Sequence, residues 1–225
     1  MISVIVNNID DEEIVVDGES FTHLRSALRV KAGDSVLAIN GSGKKRLTVV
    51  LEVGKKNLSL GEGQVEQCSR LSAIDILLSP PKRDALNDSL RMACELGVRN
   101  IYLFPTEYTQ NKKLDLQRMN KVLHSAVIQS NNLFVPKLYI ISSLSEIEAD
   151  YHSVRAFHLS KEGCEGSPLK EDLLLAIGPE GGFSDGDISS FKETFPDLET
   201  VMLKTPILRT PTALCAAFSW ALSRI

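Results

Sequence analysis

The stretch from Leu173 to Ile188, LLLAIGPEGGFSDGDI, constrains this chain more than any other. Five apolar residues run unbroken into Gly178, Pro179, Glu180, Gly181 and Gly182, and a helix start follows, with Ser184 as its cap and Asp187 three residues on. A strand with no polar position has no face for water, so it belongs inside a sheet covered on both sides. Glycines at its carboxyl end let backbone approach a ligand closely, at the edge where α/β proteins place their sites. A plain structural turn is the competing explanation, but three glycines around a carboxylate exceed what a turn requires.

The texture from Ile74 onward agrees with that placement. Apolar runs at Ile74 to Ser79, Ile101 to Phe104, Lys137 to Ile141, Val154 to Leu159, Asp172 to Ile177 and Glu199 to Leu203 alternate with helical patterns. The helices are expected at Asp84 to Leu96, stopped by Gly97, then at Leu116 to Ser130, Ser184 to Thr194 and Pro211 to Arg224. Such alternation predicts an α/β domain with a largely parallel sheet. The first seventy residues differ: short strands at Ile2 to Val6, Ser35 to Asn40, Arg46 to Val53 and Asn57 to Leu60 are punctuated by glycines, as in a small β-barrel. One amphipathic helix interrupts them, Phe21 to Val30, capped by Ser20, with Phe21, Leu24 and Leu28 on its buried face and Arg25 and Arg29 together on another. The expected domains are residues 1–70 and 71–225, with the boundary near Gln67 to Ser72.

A chain of 225 residues, 43% hydrophobic, has room for a small and a medium domain. It shows no basic-then-apolar leader pattern and no uncharged run of membrane-spanning length, so a cytoplasmic protein is expected. Cys68, Cys94, Cys164 and Cys215 lack metal-ligand spacing and read as reduced thiols; the four histidines form no zinc motif. The net charge of -4 disfavours nucleic acid taken globally. Its distribution is uneven, however: acids crowd Asp10 to Glu19 and Glu146 to Asp150, whereas Arg25, Arg29, Lys31, Lys44 to Arg46, Lys55, Lys56, Lys82 and Arg83 gather the cations. A local basic face and a solvated mixed-charge surface both fit that pattern.

A second loop has the same organisation as the first. In VMLKTPILRTPTA a strand ends at Leu203, an apolar loop follows, and a helix begins near Pro211, with Arg209 a lone cation among apolar and small residues. Arg209 serves either a ligand or a structural carboxylate. Two such loops on adjacent strands would enclose an adenosine between them. GSGKK at Gly41 to Lys45 lacks the upstream glycine and following helix of a phosphate loop and reads as a hairpin turn. Neither GxGxxG nor a GxSxG elbow is present.

In this order, FTHLRSALRVKAGD, PPKRDALNDSLRMACELGVRNIYLFPTE, IGPEGGFSDGDI and LKTPILRTPTA resemble the RsmE family of 16S ribosomal RNA methyltransferases, in the SPOUT superfamily, over essentially the whole chain. The resemblance implies a PUA-like barrel that docks RNA, followed by a SPOUT-type α/β domain with a C-terminal trefoil knot. It also implies a homodimer and S-adenosylmethionine as the donor for methylation of uridine N3 in small-subunit rRNA. The donor would lie among three loops matching Leu159 and Ser160, then Gly178, Pro179, Glu180, Gly181 and Gly182, then Leu203, Lys204, Ile207 and Leu208. Arg25 and Arg29 match the family's basic helix. The chain departs from the family where an acidic-Gln-Ser-Gly-Arg run is replaced by Ile128 to Asn132, and where Met92, Lys204 and Pro211 replace a lysine, a glycine and a glutamate. An Arg-Ser pair is missing around Thr109 to Asn111. These changes leave open a methyltransferase retargeted to another RNA base, or a weakly active RNA-binding descendant.

No metal is expected, so catalysis must rest on positioning and electrostatics. Arg209 is the candidate for stabilising a uridinate, and Glu180 is a second catalytic candidate whose simpler role is a local cap. His158 reads as a strand residue rather than a base. Lys82 and Arg83, after the Pro80-Pro81 break, are placed to meet phosphates.

Overall fold

The computed structural model describes residues 1–71, 73–110, 113–158, 168–170 and 172–225. The chain divides into two compact units, Met1–Leu71 with His124–Val135, and Ser72–Leu123 with Pro136–Ile225. The first unit is therefore not one continuous segment, because a stretch from the middle of the chain groups with it.

In the first unit, β1 (Ser3–Ile5), β2 (Ile14–Asp17), β3 (Ser35–Ile39), β4 (Lys44–Val53), β5 (Asn57–Gly61) and β6 (Val65–Gln67) form one sheet. Its order is β1-β3-β4-β5-β2, with β6 also on β4, and every pairing is antiparallel except β1 with β3. Alternation decides the inner face: Ile14 and Val16 are buried while Val15 and Asp17 are exposed. Val4, Val36, Val50, Leu58 and Leu60 join them in a core closed by Phe21, Leu24 and Val30. The expected phosphate-loop lookalike is a hairpin turn, in which the Asn40 side chain accepts from the Ser42 and Lys44 amides. The segment from His124 is stitched on by backbone bonds from Gly43 N to Leu133 O and from Val135 N to Gly41 O. Asn131, where the family resemblance has glycine, adopts φ 53°, which asparagine tolerates better than most residues, and accepts a bond from Ser3 Oγ.

The helix of this unit differs from the expected one. α1 (Gly18–Thr22) starts one turn earlier, with Asp17 rather than Ser20 at its N-cap, and widens into a π-helical turn at His23–Ala27. The wider turn breaks the 3.6-residue register, so Leu28 is exposed and Arg29, at φ 55°, lies outside the helix. Arg25 and Arg29 therefore do not share a helical face. Strands β2 and β6 had not been expected at all.

The second unit contains β7 (Ile74–Leu78), α2 (Arg83–Glu95), β8 (Asn100–Leu103), α3 (Leu116–Ser130, its last turns grouped with the first unit), β9 (Lys137–Ile140), β10 (Ser153–Phe157), β11 (Leu173–Ile177), α4 (Asp185–Thr194), β12 (Leu198–Val201) and α5 (Thr210–Leu222). All six strands run parallel in the order β12-β10-β11-β7-β8-β9. Every residue of β7, β10 and β11 is buried, as an interior parallel strand requires. Gly97, at φ 81°, ends α2 as expected, and Ser184 caps α4 in a reciprocal pair with Asp187. Parallel strands send all their carboxyl ends to one edge, and the long loops emerge there.

The opposite edge is pinned by charge. Asp75 is fully buried, and its carboxylate accepts from Arg99 Nε and Nη2 at 3.0 Å each, from Asn100 N and Nδ2, and from Tyr151 Oη at 2.6 Å. Arg99 also reaches Asp172 at 2.8 Å, across β7. Burial first, and then the Asp75 carboxylate, hold the Tyr151 hydroxyl well above its ordinary range, so it remains a donor. Removing the carboxylate strands these donors: Asp75→Ala is expected to cost about 3 kcal/mol in urea unfolding, with an unchanged denaturant slope.

Candidate functional site

At the carboxyl edge of the parallel sheet, a cleft opens between the ends of β10, β11 and β12 and the start of α5. Phe157 and His158 supply one wall from β10; Ile177, Gly178, Pro179, Glu180 and Gly182 supply the second from β11. Val201, Leu203 and the run Thr205, Pro206, Ile207 and Leu208 form the third, and Thr210 and Ala213 of α5 close the floor.

The glycine loop has its shape because its ends nearly touch. Gly182 N donates to Pro179 O at 2.9 Å, and Gly182 sits at φ 74°, where a side chain would be strained. A Cβ on Gly178 would lie 2.9 Å from the Gly182 carbonyl carbon, so only glycine permits this closure. Thr210, itself buried, donates from Oγ1 to the Gly178 carbonyl at 3.2 Å and ties α5 to the loop. His158 N donates to Val201 O, holding the first and third walls together. His158 lines the cleft, and its Nδ1 atom is buried without a hydrogen-bond partner among the described residues.

Two further loops meet the same edge. After β7, the Lys82 amide donates to Glu180 Oε1 at 3.3 Å, placing that carboxylate at the start of α2. After β8, residues 106–109 form a turn in which Ser79, Thr106 and Thr109 share their hydroxyls at 2.6 and 2.8 Å. The turn is anchored to α4 by Glu107 N donating to Asp187 Oδ1.

The expected cofactor residues divide accordingly. Gly178, Pro179, Glu180, Gly182, Leu203, Ile207 and Leu208 line the cleft, whereas Gly181 and Lys204 do not, and Leu159 and Ser160 lie outside the described residues. Arg209 is exposed at the N-cap of α5, between two lining residues. Lys82 and Arg83 are exposed at the beginning of α2. Arg25 belongs to the other unit, where its Nη1 donates to the Gly54 and Lys55 carbonyls. Phe157, Thr210 and Ala213 were not singled out from sequence, whereas Thr205 falls within the expected loop from Leu203 to Leu208. The repeated threonine in RTPTA was the available signal for Thr210, since a hydroxyl at a helix start commonly serves a neighbouring loop. Among the described residues no cluster of His, Cys, Asp or Glu is arranged to hold a metal, and no helix is long and apolar enough to cross a membrane.

Comparison with known proteins bears on this cleft directly. Residues 67–222 match the family model described as an RNA methyltransferase domain, and residues 16–62 match the RNA methyltransferase PUA domain. The chain belongs to this RNA methyltransferase family. Among its relatives, the ribosomal RNA small subunit methyltransferase E of Rickettsia conorii is 25% identical, over 88% of this chain and 84% of its own. That of Helicobacter pylori strain 26695 is 28% identical, over 79% and 81%. Of the solved structures, the Neisseria gonorrhoeae ribosomal RNA small subunit methyltransferase E bound to S-adenosyl methionine superposes with a TM-score of 0.86 at 21% identity, over 99% of this chain and 97% of its own. A Legionella pneumophila putative methyltransferase in complex with SAM gives 0.85 at 24%, over 99% and 96%. In this chain the glycine turn sits at the carboxyl edge of the sheet, directly after β11. Because the turn closes only without a side chain, Gly178→Ala is expected to destabilise the protein by about 1–3 kcal/mol, read by urea unfolding.

Proposed function

We propose that this chain transfers the methyl group of S-adenosylmethionine to N3 of a uridine in small-subunit ribosomal RNA. The observation that carries the reading is the shared cleft: the glycine turn after β11 and the apolar loop after β12 line one and the same cleft at the carboxyl edge of the sheet. Apolar walls from Phe157, Ile177, Val201, Leu203, Ile207 and Leu208 suit the flat faces of an adenine, while the backbone of both loops offers its polar groups to the ring edge and ribose. The relatives named as small-subunit rRNA methyltransferases, and the two structures holding the methyl donor, point to the same chemistry.

The donor supplies an electrophilic sulfonium methyl, so the protein must present a nucleophile in line and favour the deprotonated base. Arg209 leaves the chain between Leu208 and Thr210, at the rim of the cleft and beside the positive end of α5. From there its charge stabilises the negative charge that develops on a uridine losing its N3 proton. Glu180 is assigned to holding the glycine loop against α2 rather than to proton transfer, because its carboxylate already accepts the Lys82 amide. Backbone at Gly178, Pro179, Gly182, Leu203 and Leu208 holds the donor, and Lys82 and Arg83 meet RNA phosphates.

The PUA domain is assigned to RNA docking. Arg25, fixed to the Gly54 and Lys55 carbonyls, and Arg29 add to the cations of Lys55 and Lys56 there. A homodimer belongs to the same proposal, supported by Trp220, Cys215 and Ala216 remaining partly uncovered on α5 and by Leu222 being exposed. So does a C-terminal knot: the chain crosses from β11 over β10 to β12 and returns to α5, which packs on β11 and α2. A cytoplasmic location follows from the substrate.

Incubating small-subunit rRNA with methyl-labelled donor and mapping the product by mass spectrometry of nuclease digests is expected to locate 3-methyluridine. Methyl on another base would overturn the uridine assignment, and donor binding without incorporation would indicate an RNA-binding descendant. Arg209→Ala is expected to lower kcat roughly 100-fold or more while calorimetry finds the donor affinity unchanged. Wild-type turnover in that variant would remove Arg209 from the mechanism.

A further inference from the structure

Tyr108 is left unexplained by the cleft and by its lining. It is 45% exposed, although it sits in a turn whose neighbours are tightly held. Thr109 N donates to Thr106 O, Thr109 Oγ1 is buried against Ser79, and Glu107 N is bonded to Asp187. A turn fixed at both of its neighbours presents Tyr108 in one place. That place is the outside of the glycine loop: a Cβ built on Gly181 would meet Tyr108 Cβ at 3.1 Å and its ring carbons Cγ and Cδ2 at 3.3 Å. Gly181 is therefore the loop position that leaves room for the tyrosine, while its neighbours Glu180 and Gly182 face the cleft. The ring stands one residue of backbone from the cleft wall.

Its surroundings have the composition of a single-strand path. β11, β7 and β8 are adjacent in the sheet, so their carboxyl-end loops follow one another along the edge, from the cleft to Lys82 and Arg83 and on to Tyr108. Exposed cations that track a phosphate chain, next to an aromatic face on which a base can lie, are the two elements by which proteins hold unpaired nucleic acid. An exposed tyrosine held rigid loses little conformational entropy when a base stacks on it.

We propose that Tyr108 is a stacking platform for an unpaired base of the RNA substrate, positioning the strand beside the cleft. The assignment rests on RNA being the substrate of this protein. It concerns a nucleotide held next to the reacting one and gives Tyr108 no part in proton or methyl transfer. The aromatic face is what acts, so phenylalanine and tryptophan serve in its place, and an aliphatic side chain that covers Gly181 equally well does not.

The test compares the full-length protein with Tyr108→Phe, Tyr108→Trp and Tyr108→Leu. Affinity is measured by fluorescence anisotropy for a labelled mixed-sequence single-stranded RNA and for a duplex RNA of the same length. The Phe and Trp variants are expected to bind the single strand within about twofold of wild type, and the Leu variant roughly tenfold more weakly. Duplex binding and the salt dependence are expected to be equal for all four, because no charge is removed and paired bases cannot stack on the ring. Calorimetry with S-adenosylmethionine reports whether the cleft is intact, and an unchanged donor affinity in the Leu variant is expected. Leu binding the single strand as tightly as wild type would overturn the proposal; so would Phe losing as much as Leu, or a loss shared by single strand and duplex. If wild-type protein binds the donor but neither RNA, the reading of RNA as substrate fails, and the stacking role goes with it.

Discussion

Strand β11 is the element against which the walls of the cleft are placed. It has β10 on one side and β7 on the other, all three buried along their whole length, so its backbone polar groups must be satisfied by those two neighbours in a single register. A slip by one residue would misplace the glycine turn relative to both flanking loops. Burial leaves the strand no such freedom, and the turn therefore begins at the same height every time. Gly178 then closes on Gly182 over a distance that only glycine permits, and Thr210 locks the closed turn to α5. The cleft follows from these two facts: a strand that cannot slide and a turn that cannot open without displacing backbone.

The opposite edge of the same sheet explains how the active edge can consist largely of loops. Asp75, Arg99, Asn100, Asp172 and Tyr151 join β7, β8, the residue before β11 and the residues before β10 through bonds of normal length around one buried carboxylate. A satisfied buried network of this kind contributes little net stability over an apolar core, but it penalises any arrangement in which a member is misplaced. Polar bonding at the amino ends fixes strand register, while the carboxyl ends carry glycines, prolines and turns tied to one another by hydroxyl and backbone bonds. Stability and function thus occupy different ends of the same strands.

What was legible in sequence follows the same division. The run from Leu173 through Asp187 could be read in full, because an apolar strand, a glycine turn and a Ser–Asp cap are each local signals that agree with one another. The helix near Arg25 was misread for a physical reason: periodicity assumes 3.6 residues per turn, and the π-helical turn at His23–Ala27 adds a residue that shifts every later position. Strand β2 escaped because its four residues follow an acidic run and only two of them are apolar and inward-facing. The grouping of His124–Val135 with the first unit rests on backbone bonds to Gly41 and Gly43, which no side-chain pattern announces. Of the cleft, the two loops carried by glycine and by the ILR run were visible. Thr210 and Ala213 were not, because their relevance depends on which strand end the helix start approaches.

Electrostatics adds a last constraint on how such a chain meets RNA. A net charge of -4 gives no overall attraction, yet screening at physiological salt confines exposed charges to a range of about 8 Å. What a phosphate meets is therefore set by its immediate neighbours. The Asp10 carboxylate is engaged with Lys44 at 2.7 Å and Glu66 with Lys45 at 2.9 Å, so part of the acidic surface is locally neutralised. Lys82 and Arg83 are exposed at the start of α2, and the Glu180 carboxylate beside them is turned to the Lys82 backbone amide. With so few cations along the sheet edge, phosphate contacts alone would hold RNA weakly and without register. An acidic protein of this design must draw the remainder from groups that recognise bases irrespective of charge, and an exposed aromatic ring fixed beside the cleft is such a group.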